Sequence, residues 1–273
     1  MYACVEDGFA VSFDGGRGWQ RRTIGLPPHV DGMAVDSAGT ILAISRSHGV
    51  FRSSDAGMSW LEVTGGVPAP STKYSGYDLF DVCYSNVDDA WYIPSVHSTV
   101  LRLPGDGDRW ESLAVDTADA RLRSIVPARN GNIVACGDNG IYTWKRAQSV
   151  WEHTGDKGAF LSRGDARLYC TVSWGGYLVS DDDGETWEQR SGGEGLVRFH
   201  IFDLGAEGLY LGGSNMLQYG HVYHSPDSGS TWNRIDNLSI YAYDLNAIVK
   251  LRPGGMLAGM NRGMMLSESG HDF

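Results

Sequence analysis

Apolar residues in this chain come in short runs separated by turn-forming residues. The stretch from 32 to 63 shows the pattern well, with four strand-like pieces at 32–36, 40–45, 49–53 and 60–63. The second piece recurs at 2–5, 133–136, 168–172, 209–212 and 256–259. No window keeps a helical period, whereas short alternating or apolar runs between turns are typical of strands. The pattern therefore predicts an all-β chain.

A motif of the form S-x-D-x-G-x-[TS]-W lies between the third and fourth pieces. It occurs at 12–19, 53–60, 180–187 and 225–232, with Gly18 in place of the hydroxyl residue in the first copy. An Asp in such a hairpin accepts backbone N–H groups, and the Gly supplies a positive φ. The Trp ring is large enough to pack on a neighbouring sheet. We therefore predict a structural role for the aspartates, which are Asp14, Asp55, Asp182 and Asp227.

The tryptophans set the period of the repeat. They are Trp19, Trp60, Trp110, Trp151, Trp187 and Trp232, and Phe273 ends the series. The motif is degenerate around Trp110, Trp151 and Phe273. Four antiparallel strands in each period of about 40–45 residues indicate the blade of a β-propeller. We predict one propeller domain over residues 1–273, with four-stranded antiparallel blades. Seven aromatic anchors favour seven blades, and six is the alternative because the strand count falls between the two.

This motif resembles the Asp-box, also called the BNR repeat. Families that carry it include sialidases, xyloglucan-cleaving glycosidases, the sortilin ectodomain and a photosystem assembly factor. The resemblance covers nearly the whole chain and rests on the four good copies. It implies a propeller with a sialidase-like fold and Asp-box hairpins between strands three and four. It selects no activity, because proteins that share a fold differ in their sites.

Composition and charge narrow the possible partners. The chain has 273 residues and a formal net charge of −11. A general affinity for nucleic acid or anionic membrane needs clustered cations, so we expect no nucleic acid and no membrane as partner. The cysteines lie far apart in apolar runs, which predicts buried thiols and a cytoplasmic, reducing setting. No signal peptide or membrane-spanning run is recognised.

The candidate ligand site lies at the end of the blades opposite the motif. Turns between the second and third strands and the connections between blades meet there, and loops on a rigid scaffold commonly carry function. We predict that nine residues line the mouth of the central channel: Arg46, His48, His97, Arg121, Trp174, Arg198, His200, Tyr243 and Arg262.

The favoured function is a non-catalytic recognition scaffold that binds a protein partner or a small ligand at this loop face. No catalytic signature is found, and no cofactor and no metal are predicted. Ligand binding and protein–protein interaction are therefore the expected activities.

An enzyme that uses the same pocket is the alternative. The resemblance to sialidases implies three arginines for a substrate carboxylate, to be drawn from Arg46, Arg121 or Arg123, Arg198 and Arg262, with Tyr243, Glu194 and Asp31 in the other roles. The F/Y-R-I-P motif of that family is absent. A metal-assisted lyase or hydrolase is the second enzyme hypothesis. Its candidate ligands are His29, His48, His97, His200 and His221, although these have no local ligand spacing.

Overall fold

The computed structural model describes all residues except 6–7, 71–75, 96, 116–119, 174–175, 194, 217–219, 236–244, 252–254, 261–262 and 268–273. It divides into two compact units, residues 1–152 and 153–273. In the described part the regular structure is almost entirely β, with a single short 3₁₀ turn at Gly205–Glu207. The prediction of an all-β chain is confirmed.

Each sheet takes its strands in chain order, and all the strand pairs described are antiparallel. In the first unit the sheets are β1 (Tyr2–Val5), β2 (Gly8–Val11) and β3 (Gln20–Arg21); then β4 (Gly32–Val35), β5 (Ile41–Ser45), β6 (Gly49–Ser53) and β7 (Leu61–Glu62); then β8 (Cys83–Ser85), β9 (Ala90–Ser95), β10 (Thr99–Pro104) and β11 (Glu111–Ala114). The fourth sheet holds β12 (Leu122–Pro127), β13 (Ile133–Gly137), β14 (Gly140–Lys145) and β15 (Val150–Gly155).

The second unit continues the same arrangement. Its sheets are β16 (Phe160–Arg163), β17 (Leu168–Thr171), β18 (Tyr177–Ser180) and β19 (Glu188–Arg190); then β20 (Leu196–Asp203), β21 (Leu209–Asn215), β22 (Gly220–Ser225) and β23 (Asn233–Arg234); then β24 (Leu245–Lys250), β25 (Met256–Met260) and β26 (Gly263–Ser267).

The four-stranded antiparallel sheets are blades of a β-propeller. The expectation of seven four-stranded blades is wrong: the described residues form five sheets of four strands, and the first and last sheets have three each. The reason lies in the repeat itself. The first sequence repeat starts at the second of its four strands. The last described strand, β26, is the third strand of its repeat.

The core lies between successive sheets. The second strands β5, β9 and β13 are buried at every position, whereas the outer strands β3 and β7 are exposed. One apolar cluster joins Leu42 and Val50 of the second sheet to Trp91 and Leu101 of the third. Burial of both faces explains why the second strands read as continuous apolar runs rather than as an alternation.

All four motif copies form the same hydrogen-bonded turn, which connects β2 to β3, β6 to β7, β18 to β19, and β22 to β23. In the second copy Ser53 Oγ donates to Asp55 Oδ1 at 2.8 Å and accepts the Gly57 N–H at 2.8 Å. The Ser59 N–H and hydroxyl donate to the two oxygens of Asp55 at 2.9 and 2.6 Å. The other copies repeat these bonds, except that Gly18 has no hydroxyl.

Two consecutive residues in each turn adopt the left-handed conformation. The glycine was expected to do so, and Gly57 has a φ of 83°. The residue before it does so as well, with φ values of 75°, 57°, 60° and 58° at Gly15, Ala56, Asp183 and Ser228. A non-glycine residue in this region is uncommon and is tolerated here because the Ser and Asp side chains fix the turn.

The tryptophans that end the second and fourth motifs pack on the preceding sheet, as predicted. Trp60 meets Phe9 edge to face, with ring centroids 5.2 Å apart, and Trp232 meets Tyr177 in the same way at 6.0 Å. Trp110 keeps this role in a degenerate repeat, and its indole N–H donates to the Val63 carbonyl at 2.8 Å.

Candidate functional site

Several predicted site residues lie on the expected turns of the first unit. Arg46 and His48 lie between β5 and β6, and His97 lies between β9 and β10. Arg121 immediately precedes β12 and has a left-handed φ of 43°. All four side chains are exposed. These positions are at the ends of the sheets opposite the motif turns.

The second unit corrects one expectation. Arg198 and His200 were assigned to a connection between blades, but they lie within β20. This strand is eight residues long because it pairs with β21 along its whole length. The side chains of Leu196, Phe199 and Ile201 are buried, which stabilises the extended pairing. Trp174, Tyr243 and Arg262 lie outside the described residues, as does Glu194.

The segment 76–82 organises the charged groups of the first unit. The Arg46 guanidinium carbon lies 4.4 Å from the centroid of the Phe80 ring, and that of Arg123 lies 5.8 Å from it. The Tyr77 N–H donates to the Arg46 carbonyl at 2.6 Å, and the Arg46 N–H donates to Asp31 Oδ2 at 2.8 Å. Arg46 is therefore fixed at its backbone, while its guanidinium stacks on an aromatic ring.

Asp81 ties this segment to the beginning of β12. Its Oδ2 atom accepts the Ser124 hydroxyl at 2.9 Å and the Ile125 N–H at 3.0 Å, and Oδ1 accepts the Val82 N–H at 2.8 Å. Burial raises the pKa of Asp81 to about 6, against the opposing effect of these hydrogen bonds. The strand has a bulge between Leu122 and Ser124, so Arg123 is the residue that the bulge redirects.

Two of the charged groups of this cluster are paired. His97 Nε2 lies 2.8 Å from Asp78 Oδ2, and the Arg123 guanidinium lies 3.1 Å from Asp138 Oδ2. Among the described residues, no carboxylate lies within ion-pairing distance of the Arg46 guanidinium. Arg46 is therefore the cation of this cluster that is available for an anionic group from outside.

A related arrangement occurs in the second unit. The Arg198 guanidinium carbon lies 6.0 Å from the centroid of Phe160, and the His200 ring lies 4.1 Å from the same centroid. Phe202 follows, 6.1 Å from His200. A bulge between Leu196 and Arg198 matches the bulge after Leu122. In each unit an arginine thus lies over a phenylalanine from the preceding sheet. This phenylalanine belongs to the first strand of that sheet or to the segment just before the strand.

Sequence reasoning missed Phe80 and Phe160, and it left Arg123 out of the final set. Two sequence features together could have identified these pairs. The first is a phenylalanine in the first strand of a repeat or just before it. The second, one repeat later, is an arginine that follows a buried leucine by one or two residues. Both the 122–124 and 196–198 stretches fit this description.

Of the residues proposed for enzyme chemistry, the described part brings Arg46 and Arg123 together at the Phe80 ring. Asp31 is engaged by the Arg46 N–H, and His48 Nδ1 lies 3.4 Å from the Ser45 hydroxyl. Where the chain is described, no group of three or more His, Cys, Asp or Glu side chains could hold a metal ion. None of the four cysteines forms a disulfide, and burial raises the pKa of the Cys83 thiol. No helix in the described residues is long and apolar enough to cross a bilayer.

No protein-family model and no curated protein sequence matches this chain. Its fold is similar to that of several solved structures. YCF48 bound to a D1 peptide is 19% identical, with a TM-score of 0.68 over 96% of this chain and 86% of that one. YCF48 from Cyanidioschyzon merolae is 16% identical, with a TM-score of 0.66 over 96% and 88%. The GH74 xyloglucanase from Xanthomonas campestris is 18% identical, with a TM-score of 0.70 over 93% of this chain and 46% of that one.

Sequence identities of 16–19% establish the fold of this chain and no narrower relationship. The chain has the β-propeller fold that these structures share. One of the similar structures holds a peptide and another is a glycosidase, so the fold is compatible with recognition and with catalysis.

Proposed function

We propose that this protein is a non-catalytic recognition scaffold that binds a protein partner or a small ligand at the loop ends of its blades. The observation that carries the proposal is the exposed Arg46 guanidinium, stacked on Phe80 and without a carboxylate partner among the described residues. A guanidinium held flat on a ring presents its N–H fork outward, which suits a carboxylate of the ligand.

The comparison with known structures supports recognition of a peptide. YCF48 has been solved with a D1 peptide bound, so a propeller of this fold can hold an extended segment of another protein. A carboxylate on such a segment is the group that Arg46 would recognise in this chain, beside the Arg123 guanidinium, which Asp138 already pairs.

Further parts of the proposal rest on the sequence. Residues 1–273 form one domain, and its motif turns are Asp-box hairpins of the BNR type. From the sequence, Trp174, Tyr243 and Arg262 remain candidate ligand-binding residues. The protein works in the cytoplasm, a proposal supported by four cysteines that form no disulfide.

A direct test measures binding of a labelled peptide of glutamate and alanine by fluorescence anisotropy. We expect saturable binding that Arg46→Gln together with Arg123→Gln weakens by about tenfold or more, because hydrogen bonds between charged groups are lost. Arg167→Gln is the matched control, since Arg167 pairs with Asp181 at the opposite ends of the sheets. Equal affinity of the double variant and the control would overturn the proposal.

A glycosidase is the second candidate, and the similarity to the xyloglucanase favours it. This chain spans 46% of that enzyme's length. Incubation with xyloglucan and with a fluorogenic sialoside tests this candidate. Turnover that Arg46→Gln abolishes would establish the enzyme, and the recognition proposal expects none.

A further inference from the structure

The motif turns carry two positions whose side chains the turn itself does not use. The side chains of the second and sixth motif residues make none of the hydrogen bonds that the four turns share, and both residues are exposed in all four copies. The sixth residue contributes only its backbone N–H, which donates to the carbonyl of the motif Asp in three copies. The chemistry of these side chains can therefore vary without cost to the turn. In chain order the pairs are Phe13 and Arg17, Ser54 and Met58, Asp181 and Glu185, and Pro226 and Ser230.

In the first unit these positions expose apolar surface. The Phe13 residue is 70% exposed and the Met58 residue is 58% exposed. Both belong to motif turns, which lie at the end of the sheets opposite the loop cluster. Exposed large apolar side chains that no packing requires commonly mark an interaction surface.

Arg22 links the two turns. Its Nη1 atom donates to the Ala56 carbonyl in the second turn at 2.8 Å, and its guanidinium carbon lies 5.2 Å from the centroid of Phe13 in the first. Arg17 is exposed, and its guanidinium makes no hydrogen bond or ion pair within the described part of the chain. Phe13, Arg17, Arg22 and Met58 together form the surface that we call the motif patch.

The second unit provides an internal control for the motif patch. Counting from the motif tryptophan, Arg190 is the equivalent of Arg22, but it forms an ion pair with Glu188 at 2.8 Å. Asp181 and Glu185 stand where the first unit has Phe13 and Arg17, and Ser230 stands where it has Met58. The same turn is thus built with acidic and hydroxyl residues, so neither the apolar nor the cationic character of the motif patch is required for folding.

We propose that the motif patch is a second interaction surface and that its partner is an acidic segment of another protein carrying apolar side chains. Charge complementarity selects this occupant, because Arg17 and Arg22 supply cations beside Phe13 and Met58. An acidic peptide segment is attracted by the arginines and buries its apolar residues on Phe13 and Met58.

The test uses a labelled amphipathic peptide of glutamate, leucine and alanine, measured by fluorescence anisotropy. It is performed in the Arg46→Gln, Arg123→Gln background, so that binding at the loop ends does not contribute. We expect Phe13→Ser with Met58→Ser to weaken binding by about tenfold, and Arg17→Gln to weaken it less and to remove part of its salt dependence. The same leucines replaced by serine in the peptide should reduce affinity to a similar extent.

The control variant alters the equivalent positions of the second unit, with Asp181→Asn and Ser230→Ala. It should bind as tightly as the parent, and thermal unfolding of each variant shows that the fold is intact. The proposal is overturned if the Phe13, Met58 variant binds as the parent does. It is also overturned if phosphatidylserine vesicles bind in preference to the peptide, or if sedimentation shows that Phe13 and Met58 instead support self-association.

Discussion

The hairpins at 53–60 and 104–110 belong to successive sheets of the same unit and hold their tryptophans by different means. The first has the complete motif, with Ser53 and Asp55 bonded to each other and to the turn. The second has no such pair. Nevertheless Trp110 is only 3% exposed and donates to the Val63 carbonyl, whereas the indole N–H of Trp60 has no acceptor among the described residues.

In the second hairpin, contacts from a neighbouring turn replace the internal bonds. The Gly105 N–H donates to the Asp89 carbonyl at 2.7 Å, and Asp89 itself accepts the Tyr84 hydroxyl. The comparison therefore separates two functions within one motif. The tryptophan joins successive sheets, and the Ser–Asp pair holds only its own turn.

Removal of a tryptophan should have the largest effect. Trp110→Ala should lower the free energy of unfolding by about 3–5 kcal/mol, because a buried ring and its hydrogen bond are both lost. Trp60→Ala should cost less, since Trp60 is only partly buried. Denaturant unfolding of the two variants measures the difference. A larger loss for Trp60→Ala would contradict the separation of functions.

A methyl group at the motif glycine should have the next largest effect. Gly57 has a φ of 83°, and a Cβ atom there would collide with the Phe9 ring of the preceding sheet. Gly57→Ala should therefore cost about 2–4 kcal/mol, from strain and overpacking together. Gly39→Ala is the control, because Gly39 has a similar φ of 88° but open space around its Cα. Thermal unfolding that gave equal losses would show that packing on Phe9 is unimportant.

Asp81 and Asp55 should respond to pH in opposite directions. The folded-state pKa of Asp81 is raised to about 6 by burial, so its contribution to stability is complete below its ordinary pKa of 3.8 and is lost as pH rises through about 6. Asp81→Asn should therefore flatten the fall in Tm between about pH 4 and pH 6. An unchanged slope in that variant would show that Asp81 is ionised throughout the range.

Asp55 should have the smallest effect. Hydrogen bonds from Ser59 and Ser53 lower the pKa of Asp55 to about 2, so its stabilising contribution is present above 3.8 and is lost as pH falls towards about 2. Asp55→Asn should lower the Tm slightly at neutral pH, and the difference from the parent should vanish at the acid end. Asp106→Asn, in the hairpin without the motif, should leave the Tm unchanged. Equal shifts for both variants would mean that the motif Asp has no special role.

Much of the fold could be predicted because the motif turns are local. Ser53, Asp55 and Gly57 lie within five residues, so their hydrogen bonds follow from sequence alone. The stacking of Arg46 and Arg123 on Phe80 joins residues from three sheets, and no local pattern encodes it. Arg198 was misplaced for a related reason: pairing with β21 extends β20 through residues that read as a connection.

The prediction of seven blades was wrong for a different reason. Seven aromatic anchors favoured seven blades over the alternative of six, but an anchor marks one hairpin and not four strands. The three-stranded sheets at either end of the described chain show the difference. The strand pieces, counted one by one, were the better guide.

The central claim is that the motif turns stabilise the sheets while the opposite ends recognise a ligand. The most direct test compares Asp55→Asn, Asp182→Asn with Arg46→Gln, Arg123→Gln, measuring the Tm and the affinity for the glutamate–alanine peptide on the same samples. The account predicts that the aspartate pair lowers the Tm and keeps the affinity, and that the arginine pair lowers the affinity by about tenfold or more and keeps the Tm. Loss of affinity in the aspartate pair, with none in the arginine pair, would contradict it.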